Sequence, residues 1–308
     1  MQFLKRTFSD FAEDNCTTLA AALAYYTAFA LPPLLFLLLT VLTLGMSTVY
    51  DSKQAEERAE QTIEKQAAAM IGNQEISDEI AGILDNQQQS GGAWWKSLVS
   101  LAGMIVGATG VVAALQASLN QAWEVKPDPE QSGIMTVIWK RIFSLGMILG
   151  LAFLLIISLV VSTVLTGVGD QIGSMIGMSG VTAKIINFVV QALVVFVVFA
   201  AIFKFMPDAK VQWRDVGVGA AITMVLFLVG RYAMQWYFQF AEPGAQLGSA
   251  AASLAVLLVW VYYTSLIVLL GAEATQTYAA MYGSGIEPED HAVRVEEKID
   301  RQGSATTS

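Results

Sequence analysis

Long apolar runs decide what this chain can fold into. Each is near or above the roughly 18 residues that mark a membrane span. They lie at residues 18–46, 96–121, 140–166, 184–206, 214–238 and 249–272. Hydrophobic residues make up 55% of the 308 and charged residues only 14%, whereas a soluble domain is about one quarter charged. We therefore predict an all-α, polytopic membrane protein built as a six-helix transmembrane bundle.

The chain is predicted to form one membrane domain, residues 1–282, followed by a short tail. The first apolar run is too long for the apolar region of a signal peptide, so we keep it as the first span. The acidic outer loop, residues 47–95, is expected to contain one or two amphipathic helices outside the membrane, with a solvated loop as the alternative. The charged tail, residues 283–308, is predicted to be disordered.

Two adjacent prolines, Pro32 and Pro33, stand in the middle of the first apolar run. Proline lacks a backbone N–H and clashes with the preceding turn, so the first helix is predicted to be kinked. In lipid, the freed carbonyls need partners from neighbouring helices or from a polar cavity. Broken helices of this kind often line transport or binding sites. The alternative is a kink that only shapes packing.

The distribution of Lys and Arg predicts the orientation, because cytoplasmic segments of membrane proteins carry an excess of them. With both termini inside, the two short outer loops would hold only Lys184. The inner segments would hold Lys5, Arg6, Lys126, Lys140, Arg141, Lys204, Lys210, Arg214, Arg294, Lys298 and Arg301. We therefore predict that both termini are cytoplasmic.

The side chains that most enzymes use are nearly absent. Cys16 is the only Cys and His291, in the tail, is the only His, whereas zinc sites draw on both residue types. No nucleotide-binding or hydrolase motif occurs, and no basic tract with interleaved aromatics suggests nucleic acid. We expect no enzymatic activity, cofactor, metal or nucleic-acid partner. A hydrolase built only from carboxylates and magnesium stays open.

Ionisable groups at membrane depth are expensive and usually face the interior of the bundle. Arg231 is predicted to lie toward the outer leaflet, roughly 25 Å along its helix from Arg214 at the helical rise per residue. The alternative is an arginine that reaches out to the lipid headgroups. Six residues could form a charged layer at the cytoplasmic end, or serve singly as helix-end anchors: Asp14, Glu124, Arg141, Lys204, Asp215 and Glu273.

Hydroxyl-bearing aromatic side chains stand at mid-depth in the first and last spans, where they need hydrogen-bond partners or a cavity. We predict a central path with cations and Glu273 at its inner mouth and Arg231 near its outer end. The alternative is a closed bundle in which the hydroxyls bond neighbouring helices. The predicted path residues are Tyr25, Tyr26, Pro32, Pro33, Arg141, Lys204, Arg231, Trp260, Tyr262, Tyr263 and Glu273.

Five segments resemble blocks of the YihY/BrkB family of bacterial inner-membrane proteins, in the family's order. They are AAALAYYTAFALPPLL at 20–35, LNQAWEV at 119–125, RIFSLGMIL at 141–149, FKFMPDAKVQWRDVGVGA at 203–220, and residues 248–279. The first and last are the most specific. The resemblance implies a multi-pass protein of the bacterial inner (plasma) membrane with six helices and both ends cytoplasmic. Relatives carry the names ribonuclease BN and virulence factor BrkB, and a role in transporting lipid-like envelope precursors is implied for some.

Together these features favour a transporter of an amphipathic or anionic, lipid-like envelope solute. The alternative is a non-transporting structural or scaffold membrane protein. A membrane-bound ribonuclease has the least support. The expected partners are membrane lipids and a lipid-like or anionic solute, and a homo-oligomer is left open. Without a nucleotide-binding motif, transport would be passive, ion-coupled or driven by a partner ATPase.

Overall fold

A computed structural model describes residues 2–47, 50–71, 109–128, 180–240 and 249–295, together with residues 142, 146 and 150. The helices in this part of the chain are α1 (Gln2–Glu13), α2 (Cys16–Met46), α3 (Ser52–Ile71), α4 (109–122), α5 (Gly180–Phe205), α6 (Trp213–Phe240) and α7 (Ser249–Tyr282). The strands, all short, are β1 (Val125–Pro127), β2 (Ala209–Lys210), β3 (Glu287–Pro288) and β4 (Ala292–Arg294).

Three helices in the described part are long and apolar enough to cross a membrane. These stretches are Phe188–Phe205, Trp213–Trp236 and Ala255–Tyr282. They correspond to the predicted spans 184–206, 214–238 and 249–272. Of the predicted spans 96–121 and 140–166, only a part of the first and three single residues of the second are described, all of them helical. The helical membrane class is confirmed, whereas the count of six spans stays a prediction.

The first predicted span, 18–46, is helical and forms α2. The helix is continuous through Pro32 and Pro33, so the prolines do not divide it into two segments. Each proline lacks the N–H that would bond a carbonyl of the preceding turn. The hydrogen bonds on either side maintain the helix. The side chains of residues 31–38 lie outside the described part, and a kink there stays a prediction.

The helix α3, within the predicted acidic outer loop 47–95, packs along α2 and also contacts α6. One face of α3 is buried and consists of Ala55, Ala59, Thr62 and Ile63, a spacing that places them on one side of a helix. Glu57 lies on the exposed face. The segment is thus helical with one buried face, its place outside the membrane stays a prediction, and residues 72–95 lie outside the described part.

The helix α7 is central in the described part, because it packs against α1, α2 and α6. Small residues allow α6 and α7 to approach closely. A Cβ atom added at Gly219 would overlap the hydroxyl of Thr275, and one added at Gly271 would overlap that of Thr223. Both threonine hydroxyls donate to carbonyls one turn back in their own helices, at 2.8 and 2.9 Å.

Part of the predicted disordered tail is folded. The strand β3 pairs with β2, and β4 pairs with β1, both antiparallel. The backbone N–H of Glu289 also donates to the carbonyl of Asp208, and that of Asp128 to the carbonyl of His291, both at 3.0 Å. Composition does not reveal such backbone partners. The prediction of disorder is therefore wrong for residues 283–295, which we call the C-terminal segment, while 296–308 lie outside the described part.

Candidate functional site

Two carboxyl groups meet where the turn between α1 and α2 faces α7. We call Asp14, Cys16, Glu273 and Gln276 the carboxyl cluster. Glu273 is fully buried, at 0% exposure, and its side chain is hydrogen-bonded to that of Asp14. The thiol of Cys16 donates to Glu273 Oε1 at 3.4 Å. In the orientation that satisfies its amide, Gln276 donates to Glu273 Oε2 at 3.2 Å. A hydrogen bond between two carboxyl groups requires a proton on one of them.

The local backbone explains how the carboxyl cluster forms. Asn15 adopts a left-handed conformation with φ of 52°, which asparagine tolerates better than most residues. This lets α1 end and α2 begin within two residues. The indole of Trp123 donates to the carbonyl of Ala272 at 2.9 Å and thereby fixes the end of α4 against α7. Burial is the main cause that raises the pKa of Asp14, while its hydrogen bond to Glu273 acts in the opposite direction.

A second polar cluster lies where α4, the loop after α5 and the C-terminal segment meet. We call Gln116, Asn120, Asp208 and His291 the Asp208 cluster. Asp208 is only 5% exposed. Its carboxylate accepts hydrogen bonds from Asn120 Nδ2 at 2.8 Å and from Gln116 Nε2 at 3.0 Å. His291 Nε2 lies 3.0 Å from Asp208 Oδ1. The buried charge is therefore satisfied by neighbouring groups.

Sequence reasoning missed Asp208 and assigned no role to His291. The spacing of Gln116 and Asn120, one helical turn apart, does place both on one face. Asp208 follows Pro207 at the end of an apolar helix, a position where a carboxylate usually faces water. His291 is 83 residues further along the chain. No local sequence pattern indicates a contact between two residues so far apart in the chain.

Arg231 lies near one end of the candidate span Trp213–Trp236 and is half-buried. Its Nη1 donates to Gln191 Oε1 of α5 at 3.1 Å, and its guanidinium lies over the ring of Tyr232 at 5.2 Å. The Nε atom is buried and has no hydrogen-bond partner among the described residues. None of the ion pairs in the described part of the chain includes Arg231.

The predicted path aromatics of α7 are packed against protein rather than grouped around one space. Trp260 is buried and makes an edge contact with Phe227 of α6. The hydroxyl of Tyr263 donates to the carbonyl of Leu226 at 2.7 Å. The ring of Tyr263 also covers Gly230. Tyr262 packs instead against the apolar cluster around Cys16.

The predicted path tyrosines of α2 face away from this packing. Tyr25 and Tyr26 are 60% and 53% exposed, respectively. Their rings contact each other edge-on at 5.9 Å. Pro32 and Pro33 lie within the continuous helix, and their side chains are outside the described part. The structure therefore does not bring Tyr25 and Tyr26 together with the aromatics of α7 in the part that it describes.

The predicted charged layer is only partly assembled. Asp14 and Glu273 are in contact, and Glu124 lies close enough to Asp14 to raise its pKa further. Lys204 donates to the carbonyl of Val211 and so holds the loop between α5 and α6. Arg141 lies outside the described residues.

Asp215, another member of the predicted layer, is 1% exposed. Within the part of the chain that the structure describes, neither of its carboxylate oxygens has a hydrogen-bond partner. It stands in the first turn of α6, where the helix dipole favours a negative charge. Among the described residues, no three His, Cys, Asp or Glu side chains are grouped so that they could hold a metal ion.

A sequence model of the family described as virulence factor BrkB matches residues 7–296. The chain belongs to this family. The match runs from α1 to just beyond β4, so both polar clusters lie within the part that defines BrkB relatives. The resemblance noted from the five sequence blocks is confirmed.

Curated BrkB relatives carry the description UPF0761 membrane protein. The chain is 24% identical to one from Psychromonas ingrahamii, over 90% of this chain and 87% of the relative. It is 26% identical to one from Alkalilimnicola ehrlichii, over 88% of this chain. It is 28% identical to one from Halorhodospira halophila, over 86% of this chain. The match spans only 56% and 54% of the latter two relatives, respectively. No solved structure matches the chain.

Proposed function

We propose that this protein moves an anionic, amphipathic, lipid-like envelope solute across the inner membrane of a bacterium. Both termini lie in the cytoplasm in this proposal. Membrane lipids are its surroundings and the solute is its partner. It is a transporter and not an enzyme. The observation that carries the proposal is the environment of Arg231.

An arginine inside an apolar span is costly unless a partner neutralises its charge. Arg231 stands five residues before Trp236, about 8 Å along the helix at the usual rise per residue. Gln191 holds the guanidinium, but no carboxylate in the described part balances its charge. The guanidinium fork suits a phosphate or carboxylate headgroup. A solute with such a headgroup would supply the missing charge while its apolar tails stay in lipid.

The carboxyl cluster supports an ion-coupled form of this proposal. Glu273 is buried within α7 and shares a hydrogen bond with Asp14. Carboxylic acids within membrane segments commonly belong to proton or ion pathways. A change in protonation at this pair would couple solute movement to protons without any nucleotide.

A non-transporting scaffold is the second candidate, and one observation favours it. The Tyr263 hydroxyl is bonded to a backbone carbonyl, and its ring fills the space above Gly230. This contact is what a closed, packed bundle requires. In the scaffold account, Arg231 only anchors α6 at the headgroups.

Lipid movement in vesicles distinguishes the two candidates. The full chain is reconstituted into vesicles of phosphatidylethanolamine and phosphatidylglycerol that contain a fluorescent phosphatidylglycerol in both leaflets. Dithionite added outside quenches the outer leaflet, so further loss of fluorescence reports transfer between leaflets. Protein-free vesicles and vesicles with fluorescent phosphatidylcholine are the controls.

The proposal expects faster transfer of the anionic probe than of the zwitterionic probe, and no comparable transfer without protein. Equal rates for both probes would contradict selection by a cation. Rates equal to those of protein-free vesicles for both probes would favour the scaffold.

A further inference from the structure

We propose that the C-terminal segment is a latch, and that a proton on His291 sets how tightly it holds the membrane domain. This inference does not depend on the proposed transport function. His291 Nε2 lies 3.0 Å from Asp208 Oδ1, in the loop after α5. His291 Nδ1 lies 3.8 Å from Glu289 Oε2, within the segment itself. The imidazole thus lies between two carboxylates. Asp208 belongs to the membrane domain and Glu289 belongs to the C-terminal segment.

The two protonation states of the imidazole make different contacts in this position. Neutral imidazole carries one N–H, whereas imidazolium carries two. The neutral ring can donate to only one of the two carboxylates, whereas imidazolium can donate to both and adds the attraction of its own charge. Histidine is the side chain that ordinarily changes charge between about pH 5 and 8. Acid therefore tightens the contact with both carboxylates, and a rise in pH weakens it.

The other charged groups near His291 do not account for the pH dependence that we propose for the latch. Lys210 of β2 is paired with Asp290, and this contact raises the pKa of Lys210 and lowers that of Asp290. Both partners thus stay charged throughout the range in which histidine titrates. Arg294 lies 4.0 Å from Glu124.

By element, the charged groups around the segment are Asp208 in the loop after α5, Lys210 in β2, Glu124 and Lys126 at β1, Asp128 after β1, Glu287 in β3, Glu289 and Asp290 between the strands, and Arg294 in β4. The helix α4 contributes only the uncharged Gln116 and Asn120.

The latch covers a buried carboxyl group. A Cβ atom added at Gly283, where the segment begins, would lie 3.2 Å from Asp215 Oδ2. The next residue, Ser284, accepts a hydrogen bond from Gln212 at 2.8 Å, just before α6. Ionised carboxylates without partners are costly to bury. Release of the segment would let water reach Asp215, so opening at higher pH also relieves this cost.

Hydrogen–deuterium exchange of the full chain in lipid nanodiscs tests the latch. The readout is the protection of the peptide that covers residues 286–295, corrected for the intrinsic pH dependence of exchange. We expect protection to fall by about fivefold between about pH 5.5 and 8, since the ring then loses its charge and one of its two N–H donors. In His291→Gln, protection should be low and nearly independent of pH.

Two further variants make the test specific. Asp290→Asn removes the ion pair with Lys210, so it should lower protection at every pH and leave most of the pH response intact, because the charge of Asp290 acts only weakly on His291. Glu289→Gln removes one of the two carboxylates at His291 and should reduce the pH response without abolishing it. Exchange in the middle of α6 and of α7, away from the ends that the segment contacts, should be unchanged in all variants. A pH-independent wild-type segment, or a full pH response in His291→Gln or an unreduced one in Glu289→Gln, would overturn the proposal.

Discussion

Asp208 and Asn120 are bonded to each other twice. The Asn120 amide donates to Asp208 Oδ2 at 2.8 Å, and the Asp208 backbone N–H donates to Asn120 Oδ1, also at 2.8 Å. One side chain of α4 thereby satisfies both the charge and the backbone donor of a buried loop residue. The same aspartate accepts the contact from His291 that joins the C-terminal segment. This pair is thus the point at which three distant parts of the chain meet.

Replacing Asn120 by Ala should destabilise the fold by about 2 kcal/mol or more, because each buried polar group left without a partner costs roughly 1–3 kcal/mol. The change removes the acceptor that the Asp208 N–H uses and one donor to its carboxylate. Reversible unfolding in mixed detergent micelles measures the free energy. Gln121→Ala, one residue on, is the control: it removes only an exposed hydrogen bond to the carbonyl of Asp14 and should have a smaller effect. Equal effects of the two substitutions would contradict the importance of the pair.

The α6–α7 contact predicts a difference between two neighbouring glycines. Gly219→Ala would force the new Cβ into Thr275 and the carbonyl of Gly271, and overpacking of this kind typically costs about 1–3 kcal/mol. Gly217 has nothing within 4 Å of its Cβ position, so Gly217→Ala should be neutral or stabilise the helix by up to about 1 kcal/mol. The same unfolding experiment decides. If Gly219→Ala hardly lowered the free energy of unfolding, α6 and α7 would be less closely packed than described.

Hydropathy predicts which segments cross the membrane, because bilayer thickness imposes span length directly. It predicts much less about which side of a span faces inward. The first span is apolar on all sides, so nothing in its pattern shows that Tyr25 and Tyr26 are exposed in the described part. Which side of a span is buried depends on packing partners that come from elsewhere in the chain.

The polar clusters show the same limit. Glu273 could be selected from the sequence because an acid at the end of an apolar run is unusual. Its partners Asp14 and Cys16 come from the other end of the chain. Asp208 and His291 were missed because each has an ordinary setting when taken alone, after a proline and in a polar tail. Strand pairing brings these two residues together, and strands of two or three residues leave no periodic signal in the sequence.

The raised pKa of Asp14 predicts a pH dependence of stability. A carboxyl group whose pKa is higher in the folded state binds protons more tightly there, so its contribution is greatest below its ordinary pKa. That contribution is lost as the pH rises through the folded-state pKa. Stability should therefore fall as the pH increases above the ordinary range for aspartate, with Glu273 titrating as part of the same pair.

Asp14→Asn should flatten this dependence, whereas Glu57→Gln, at an exposed position of α3, should leave it unchanged. The midpoint temperature of thermal unfolding across the acidic range is the measurement. An unaltered slope in Asp14→Asn would show that another group is responsible.

Tyr263→Phe should lower the free energy of unfolding by about 1 kcal/mol, the usual net contribution of a hydrogen bond, because it removes the bond to Leu226. In the proposed transporter this contact is structural, so transfer of the anionic lipid probe should continue at the wild-type rate. Unfolding and vesicle assays on the same preparation check both statements. Abolished transfer with normal stability would instead place the hydroxyl on the solute path.

Substitution of Arg231 in the vesicle assay tests the transport proposal most directly. Arg231→Gln should reduce transfer of fluorescent phosphatidylglycerol to the rate of protein-free vesicles, because the headgroup loses its cation. Arg231→Lys keeps the charge without the fork and should retain part of the activity. Arg214→Gln, which removes an exposed cation near the other end of α6, should behave like the wild type. Wild-type transfer in Arg231→Gln, with the variant folded and inserted, would contradict the account.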